Sequence, residues 1–173
     1  MTKFLRVTAL LVIMLTTSTT YAQLGIKKPG FTVGGNVFYA QPQDDLKNSY
    51  KQGFGLELKA GVGLGKTYLI ATLGYTGYTP QSSSVSKLSN QQMKVGIKQY
   101  FLAKRLFVNG DIGVSYLDTG KRAPVITRFT SDIGAGVRLF GIEASIYYDA
   151  WNKLSGEGTS KTMQFKLGYN FTL

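Results

Sequence analysis

A strict alternation of apolar and polar side chains is the feature of this sequence that most limits how it can fold. It is plainest in residues 163–173, MQFKLGYNFTL, where every odd position is apolar or aromatic and every even position is polar or glycine. Successive side chains of a β-strand point to opposite faces, so this period of two predicts a strand with one apolar and one polar face.

The same alternation recurs in seven earlier segments, which begin near Phe31, Phe54, Thr67, Met93, Leu106, Phe129 and Ile142. The segments are about 10 to 13 residues long, close to the roughly 9 to 11 that a tilted strand needs to cross a bilayer. All four prolines lie between the segments, as expected if each strand is paired on both sides. The third segment, residues 67–78, is apolar on both faces, which leaves its register open.

The connections between the segments alternate in length. Polar stretches follow the first, third, fifth and seventh segments, whereas tight turns such as Gly65-Lys66 follow the second, fourth and sixth. We call the two ends of the predicted sheet the long-loop end and the short-turn end. Long extracellular loops and short periplasmic turns are typical of outer-membrane barrels, in which an even strand number leaves both chain ends in the periplasm.

The first 22 residues are predicted to be a secretory signal. Lys3 and Arg6 precede an apolar run at residues 9–15, and Thr20-Tyr21-Ala22 has small residues at the outer positions of a cleavage site. The run is too short for a transmembrane anchor, and no later stretch of about 18 apolar residues follows it. We therefore predict one exported domain over residues 23–173.

The chain contains no cysteine and no histidine, which removes several kinds of site. Without cysteine there is no disulfide scaffold or thiolate metal site, and without histidine the commonest general base and metal ligand is missing. No cofactor, metal or catalytic site is predicted. The formal net charge of +11 favours lipid phosphates as partners of an exported membrane protein, and not nucleic acid.

The polar face carries a balanced set of charges at mid-strand. Five acidic and five basic residues share it: Glu57, Asp111, Asp132, Glu143, Asp149, Lys59, Lys94, Lys98, Arg138 and Lys166. The interior of an eight-stranded barrel is just wide enough for side chains to fill it, and charges buried there must be paired. The balance predicts that the polar face points inward. A lipocalin-like barrel, the structural rival, would turn the apolar face inward instead.

Aromatic residues mark both ends of the apolar face. Those toward the long-loop end are Tyr39, Phe54, Tyr75, Tyr116, Phe129 and Tyr148, and those toward the short-turn end are Phe31, Phe101, Tyr169 and Phe171. Two such girdles around a band of aliphatic residues are what a lipid-facing surface needs. The predicted fold is all-β, an eight-stranded antiparallel up-and-down transmembrane β-barrel.

On these features residues 23–173 resemble the small outer-membrane β-barrels of Gram-negative bacteria, of the OmpA-barrel and OmpX type. The resemblance implies that the terminal strand, FKLGYNF at 165–171, is recognised by the outer-membrane insertion machinery. Family members commonly end on an aromatic residue, whereas here Thr172 and Leu173 follow Phe171.

Four functions are compatible with the sequence. The first is a non-enzymatic barrel whose loops contact lipopolysaccharide, surfaces or an envelope protein partner, with Lys121, Arg122 and Arg128 as candidate lipopolysaccharide contacts. The second is a narrow pore, and the third a periplasmic lipocalin-like carrier. The fourth, an enzyme, is disfavoured because the chain has no histidine, and because Glu143 and Asp149, which share a strand face, lie roughly 20 Å apart along it.

Overall fold

The structure is a computed structural model that describes residues 29–120, 124–153 and 158–172. Its elements in chain order are β1 (Gly30–Gln43), α1 (Asp44–Ser49), β2 (Tyr50–Leu64), β3 (Thr67–Pro80), β4 (Leu88–Phe101), β5 (Leu106–Asp118), β6 (Ile126–Leu139), β7 (Ile142–Lys153) and β8 (Thr159–Thr172). The predicted signal at residues 1–22 lies outside the described residues and stays a prediction.

The eight strands form one closed barrel in which each strand pairs antiparallel with its neighbours in sequence. Closure comes from β1 and β8, which pair from Thr32 opposite Thr172 to Gln43 opposite Lys161. We call this pairing the closing ladder. It confirms the predicted eight-stranded, up-and-down, antiparallel fold. Within the described ranges, no helix has the length and apolar character needed to span a membrane.

The two faces of every strand follow the alternation in the sequence. Leu58 is 63% exposed on the outer face, whereas its neighbour Glu57 is 1% exposed inside the barrel. The register of β3 is also fixed, since Leu69, Leu73 and Tyr75 lie outside. A soluble protein buries most of its apolar residues, whereas this barrel exposes its apolar face and buries its charged face.

The strand ends differ from the prediction. The strands are 12 to 15 residues long, and Pro42 and Pro80 lie inside the ends of β1 and β3, so the prediction that all prolines fall between strands is wrong. Pro42 is paired only with Thr162 of β8, and Pro80 only with Tyr50 of β2. A strand with one free side at the rim accommodates a residue that lacks the N–H donor.

The first long connection also differs, because residues 44–49 form a six-residue helix where only a polar break was predicted. Asp44 and Asp45 occupy its first turn, where negative charge interacts favourably with the helix dipole. Leu46 packs against buried side chains at the long-loop end of the barrel. Helix α1 thereby lies against the mouth.

The short-turn end is built from tight turns. Gly65 has a φ of +67° at the first position of the Gly65-Lys66 turn between β2 and β3. A two-residue hairpin needs left-handed backbone at that position, which glycine adopts without a steric cost.

Candidate functional site: the barrel interior and its two ends

The interior of the barrel holds nine of the ten predicted charges in buried positions, and Arg138 is half-buried at the short-turn end. Every second residue of each strand points inward, and the charged residues occupy those positions. The charges fall into separate ion-paired groups along the barrel.

The first group surrounds Glu57 on β2. Its carboxylate lies 2.5 Å from Nζ of Lys166 and 3.3 Å from Nζ of Lys59. Asn36 Nδ2 donates a further hydrogen bond of 3.2 Å. One carboxylate thus joins β1, β2 and β8 across the closing ladder.

The second group surrounds Lys94 on β4. Its Nζ lies 2.5 Å from Asp132 and 3.0 Å from Asp149, and all three side chains are almost wholly inaccessible to solvent. Asp149 also accepts hydrogen bonds from Gln92 at 2.9 Å and Gln164 at 3.2 Å. Lys94 is thus a cation shared by two buried carboxylates, and pairing of this kind lowers the cost of burying them.

The third group lies toward the short-turn end. Lys98 Nζ is 2.5 Å from Glu143, which also accepts hydrogen bonds from Tyr100 at 2.7 Å and Asn170 at 2.6 Å. Arg138 is directly opposite Glu143 in the β6–β7 register, and its Nη2 donates to Asn170 O and Thr172 Oγ1, each at 3.0 Å.

Asp111 lies beside the second group. It is opposite Asp132 in the β5–β6 register and accepts a hydrogen bond from Asn109. Asp111, Asp132 and Asp149 therefore lie in one row across three strands. Among the described residues, no cluster of three or more His, Cys, Asp or Glu side chains is arranged to hold a metal ion.

A hydrophobic cluster fills the interior at the long-loop end. It consists of Phe38, Ala40, Tyr50, Tyr78, Leu88, Leu117 and Trp151, and we call it the mouth cluster. The rings of Tyr50 and Trp151 lie 6.1 and 6.2 Å from that of Tyr78, and Leu46 of α1 packs over them. The cluster covers the charged interior at this end.

A second cluster closes the short-turn end. It consists of Tyr68, Ile70, Tyr100 and Phe107, and we call it the basal cluster. The Tyr100 ring lies 5.7 Å from that of Tyr68 and 5.8 Å from that of Phe107. Lys98 Nζ lies 3.9 Å from the Phe107 ring centroid, which is a cation–π distance.

Both clusters were missed by the sequence reasoning, although a signal for them exists. Tyr68, Tyr100, Phe107 and Trp151 are large aromatic residues on the polar face, and each lies near the end of a strand. Aromatic residues on the inward side of the strand ends predict a barrel whose interior is blocked at its ends. Polar residues at the same positions are typical of an open channel.

The outer face presents a continuous apolar band with the predicted girdle residues near its two edges. Nine of those ten side chains are exposed, from Phe54 at 59% and Phe171 at 63% down to Phe31 and Tyr116 at 36%, and Tyr39 is half-buried. The middle of the band includes Val37, Leu56, Val95, Ile112 and Ile133, each more than half exposed. A patch of this size on a soluble monomer would be exceptional, which points to a lipid environment.

Solved structures with the same architecture are small outer-membrane barrels. Ail, the attachment invasion locus protein of Yersinia pestis, matches with a TM-score of 0.59 at 13% identity, over 82% of this chain and 98% of Ail. The fold is that of the small outer-membrane β-barrels. No protein-family model matches the sequence, and no curated protein matches it.

Two further barrels of this fold show the same level of similarity. The N-terminal β-barrel domain of OprF from Pseudomonas aeruginosa has a TM-score of 0.57 at 13% identity, over 81% of this chain and 97% of that domain. Neisserial surface protein A has a TM-score of 0.59 at 11% identity, over 81% and 95%. Ail has also been solved in complex with the heparin analogue sucrose octasulfate. Identities this low establish the outer-membrane barrel fold alone.

Of the three candidate lipopolysaccharide contacts, Lys121 and Arg122 fall outside the described residues. Arg128 is on β6, opposite Ser115 and Lys153, and is half-buried on the inward side of the strand. Arg128 is therefore part of the rim of the mouth.

Proposed function

We propose that this chain is an integral outer-membrane β-barrel without enzymatic activity. Its long-loop end faces away from the cell and contacts lipopolysaccharide, host surfaces or an envelope protein. The observation that carries the proposal is the combination of an apolar, girdled exterior with an ion-paired interior that has a cluster of large buried side chains toward each end. Such a body is a rigid support for the loops that it joins.

The filled interior argues against both a lipocalin-like carrier and a pore. A lipocalin-like carrier needs an apolar cavity, whereas the centre of this barrel is filled by Glu57, Lys94, Asp149 and their partners. A pore needs a continuous polar path, and the mouth and basal clusters each interrupt one. Stable, ion-selective current steps in planar bilayers would instead favour the pore.

Cell fractionation and gel mobility test the membrane assignment directly. The chain is expected in the outer-membrane fraction, to require detergent for release, and to change its electrophoretic mobility when heated, because a closed barrel binds less detergent than the unfolded chain. Release into the soluble periplasm, or equal mobility with and without heating, would contradict the proposal.

Removal of the candidate lipopolysaccharide contacts is expected to weaken binding of lipopolysaccharide. Lys121→Gln/Arg122→Gln/Arg128→Gln removes three positive charges at the long-loop end, and each cation near an anionic lipid surface contributes about 1 kcal/mol before screening by salt. We expect the affinity to fall by about tenfold, or about 1.4 kcal/mol, in titrations of the refolded barrel at low salt.

The control removes a positive charge at the other end of the barrel. Lys66→Gln, between β2 and β3, should bind lipopolysaccharide as the unmodified chain does. Sucrose octasulfate serves as a soluble polyanion in the same titration. Unchanged lipopolysaccharide binding by the first variant would disprove this part of the proposal.

A further inference from the structure

An open groove of about 520 Å³ lies at the short-turn end, between the β4–β5 turn and the β6–β7 turn. Its lining includes three cations and two large apolar residues: Lys104, Arg105, Arg138, Leu139 and Phe140. We propose that this groove binds an acidic glycerophospholipid of the periplasmic leaflet, with the lipid phosphate among the three cations and an acyl chain along Leu139 and Phe140. The inference rests on the proposed function, because the groove meets that leaflet only if the barrel spans the outer membrane.

The basal cluster holds two of the three cations in place. Lys104 Nζ lies 3.0 Å from the Tyr68 hydroxyl and 5.3 Å from the centroid of its ring. The Arg138 guanidinium lies 5.5 Å from the centroid of Tyr100. Both contacts of Arg138 with β8 are made by Nη2, so they do not commit its other terminal nitrogen, and a planar guanidinium is suited to binding a phosphate with two donors.

The backbone around the groove is also held together. Arg138 N donates to Arg105 O at 2.7 Å, which ties the end of β6 to the β4–β5 turn. Asn170 N donates to Gly141 O at 2.8 Å, which ties the β6–β7 turn to β8. Lys104 and Arg138 are thus positioned before any ligand arrives, which lowers the entropic cost of binding.

The charge around the groove is uncompensated by carboxylate side chains of the described residues. Asp44, Asp45 and Asp118 lie at the long-loop end, and the other five described acidic residues lie inside the barrel. The one nearest this end, Glu143, is engaged by Lys98. A concentration of positive charge at the membrane surface selects an anionic lipid over a zwitterionic one.

Phe140 is the observation that distinguishes a lipid from a free anion. It occupies the first position of the β6–β7 turn with a φ of +52°, where asparagine or glycine is usual, and its side chain is 97% exposed. An aromatic ring in a strained backbone position with no contact to protein gains nothing from the folded chain alone. Beside Leu139, at the short-turn edge of the apolar band, the ring lies where the apolar band meets the membrane interface, a level at which aromatic residues are enriched.

The amount of lipid that stays bound to the purified barrel tests whether the groove is a lipid site. The barrel is reconstituted in nanodiscs of phosphatidylcholine mixed with phosphatidylglycerol, released into mild detergent, and analysed by native mass spectrometry for the phosphatidylglycerol that stays bound. We expect Lys104→Gln/Arg105→Gln to lower that retention by about tenfold relative to the unmodified chain, since two of the three cations are gone. Phe140→Asn is expected to lower it severalfold while all three cations remain.

The control variant removes the same charge elsewhere. Lys47→Gln/Lys87→Gln takes two exposed lysines from the long-loop end and should retain phosphatidylglycerol as the unmodified chain does. Glycerol phosphate, which lacks acyl chains, should not displace the lipid. Complete displacement by glycerol phosphate would mean a site for soluble phosphate esters and would overturn the inference.

The outcomes also separate this inference from the proposed function. If both groove variants keep heat-shifted mobility and outer-membrane fractionation yet retain phosphatidylglycerol like the unmodified chain, the groove is not a lipid site and the proposed function stands. If the unmodified chain itself fails fractionation, the proposed function fails and the inference fails with it. Should the double variant not fold, Phe140→Asn and Arg105→Gln alone carry the same test, because neither side chain packs in the barrel interior.

Discussion

Lys94→Met is expected to lower the free energy of unfolding by about 3 to 5 kcal/mol, because it leaves Asp132 and Asp149 buried without their shared cation. Methionine keeps most of the length of lysine, so the change removes charge more than volume. Equilibrium unfolding by urea in detergent measures the loss, and Trp151, the only tryptophan in the chain, reports on it from the mouth cluster.

Two further variants show whether charge is the cause. Lys161→Met removes the Lys161–Asp44 pair, in which both side chains are more than one-third exposed, and should leave the stability almost unchanged because water and salt screen the pair. Lys94→Met/Asp132→Asn/Asp149→Asn removes the whole buried group and should recover much of the loss. A triple variant as unstable as Lys94→Met would show that packing, and not the unpaired charge, dominates.

Gly113→Val is expected to prevent closure of the barrel or to destabilise it by about 3 kcal/mol or more. Gly113 is opposite Lys94 in the β4–β5 register, and a Cβ atom there would collide with the backbone of Met93 and Lys94. Because both obstacles are main-chain atoms of the neighbouring strand, the ladder itself has to move. Heat-shifted gel mobility of the refolded variant is the measurement.

Gly77→Val is the matched control for this substitution. Gly77 lies on the outward side of β3, its φ is ordinary, and a Cβ atom there would have open space around it. Valine favours strands and adds apolar surface to the lipid-facing band, so this variant should fold at least as well as the unmodified chain. If both valine variants fold equally well, crowding at Gly113 is not the constraint that we infer.

The fold could be predicted from the sequence because a period of two decides which face each side chain takes once the barrel closes. The direction of the charged face followed from the equal numbers of acidic and basic residues on it. The ion pairs between different strands could not be predicted, since they form across the barrel. Lys166 and Glu57, for example, are 109 residues apart and meet only when β1, β2 and β8 are assembled.

Other features depend on contacts that a local pattern does not contain. Helix α1 is six residues long, too short to be stable by propensity, and its Leu46 is held by the mouth cluster. The ends of β1 and β3 extend through Pro42 and Pro80 because only one side of each is paired there. The groove at the short-turn end arises from two turns that are more than 30 residues apart, between Arg105 and Arg138.

The closing ladder has a consequence for the order in which the chain assembles. Seven of the eight ladders join strands that are adjacent in sequence, so each can form as a hairpin soon after its second strand is available. Across the closing ladder the Thr32 hydroxyl donates a hydrogen bond to the carbonyl oxygen of Phe171, 139 positions further along the chain. Until β8 arrives, β1 therefore has an open edge that must be protected from other strands. The closing ladder also brings together the two ends of the barrel sequence, so this last step has a larger loop-closure entropy cost than any of the other seven ladders.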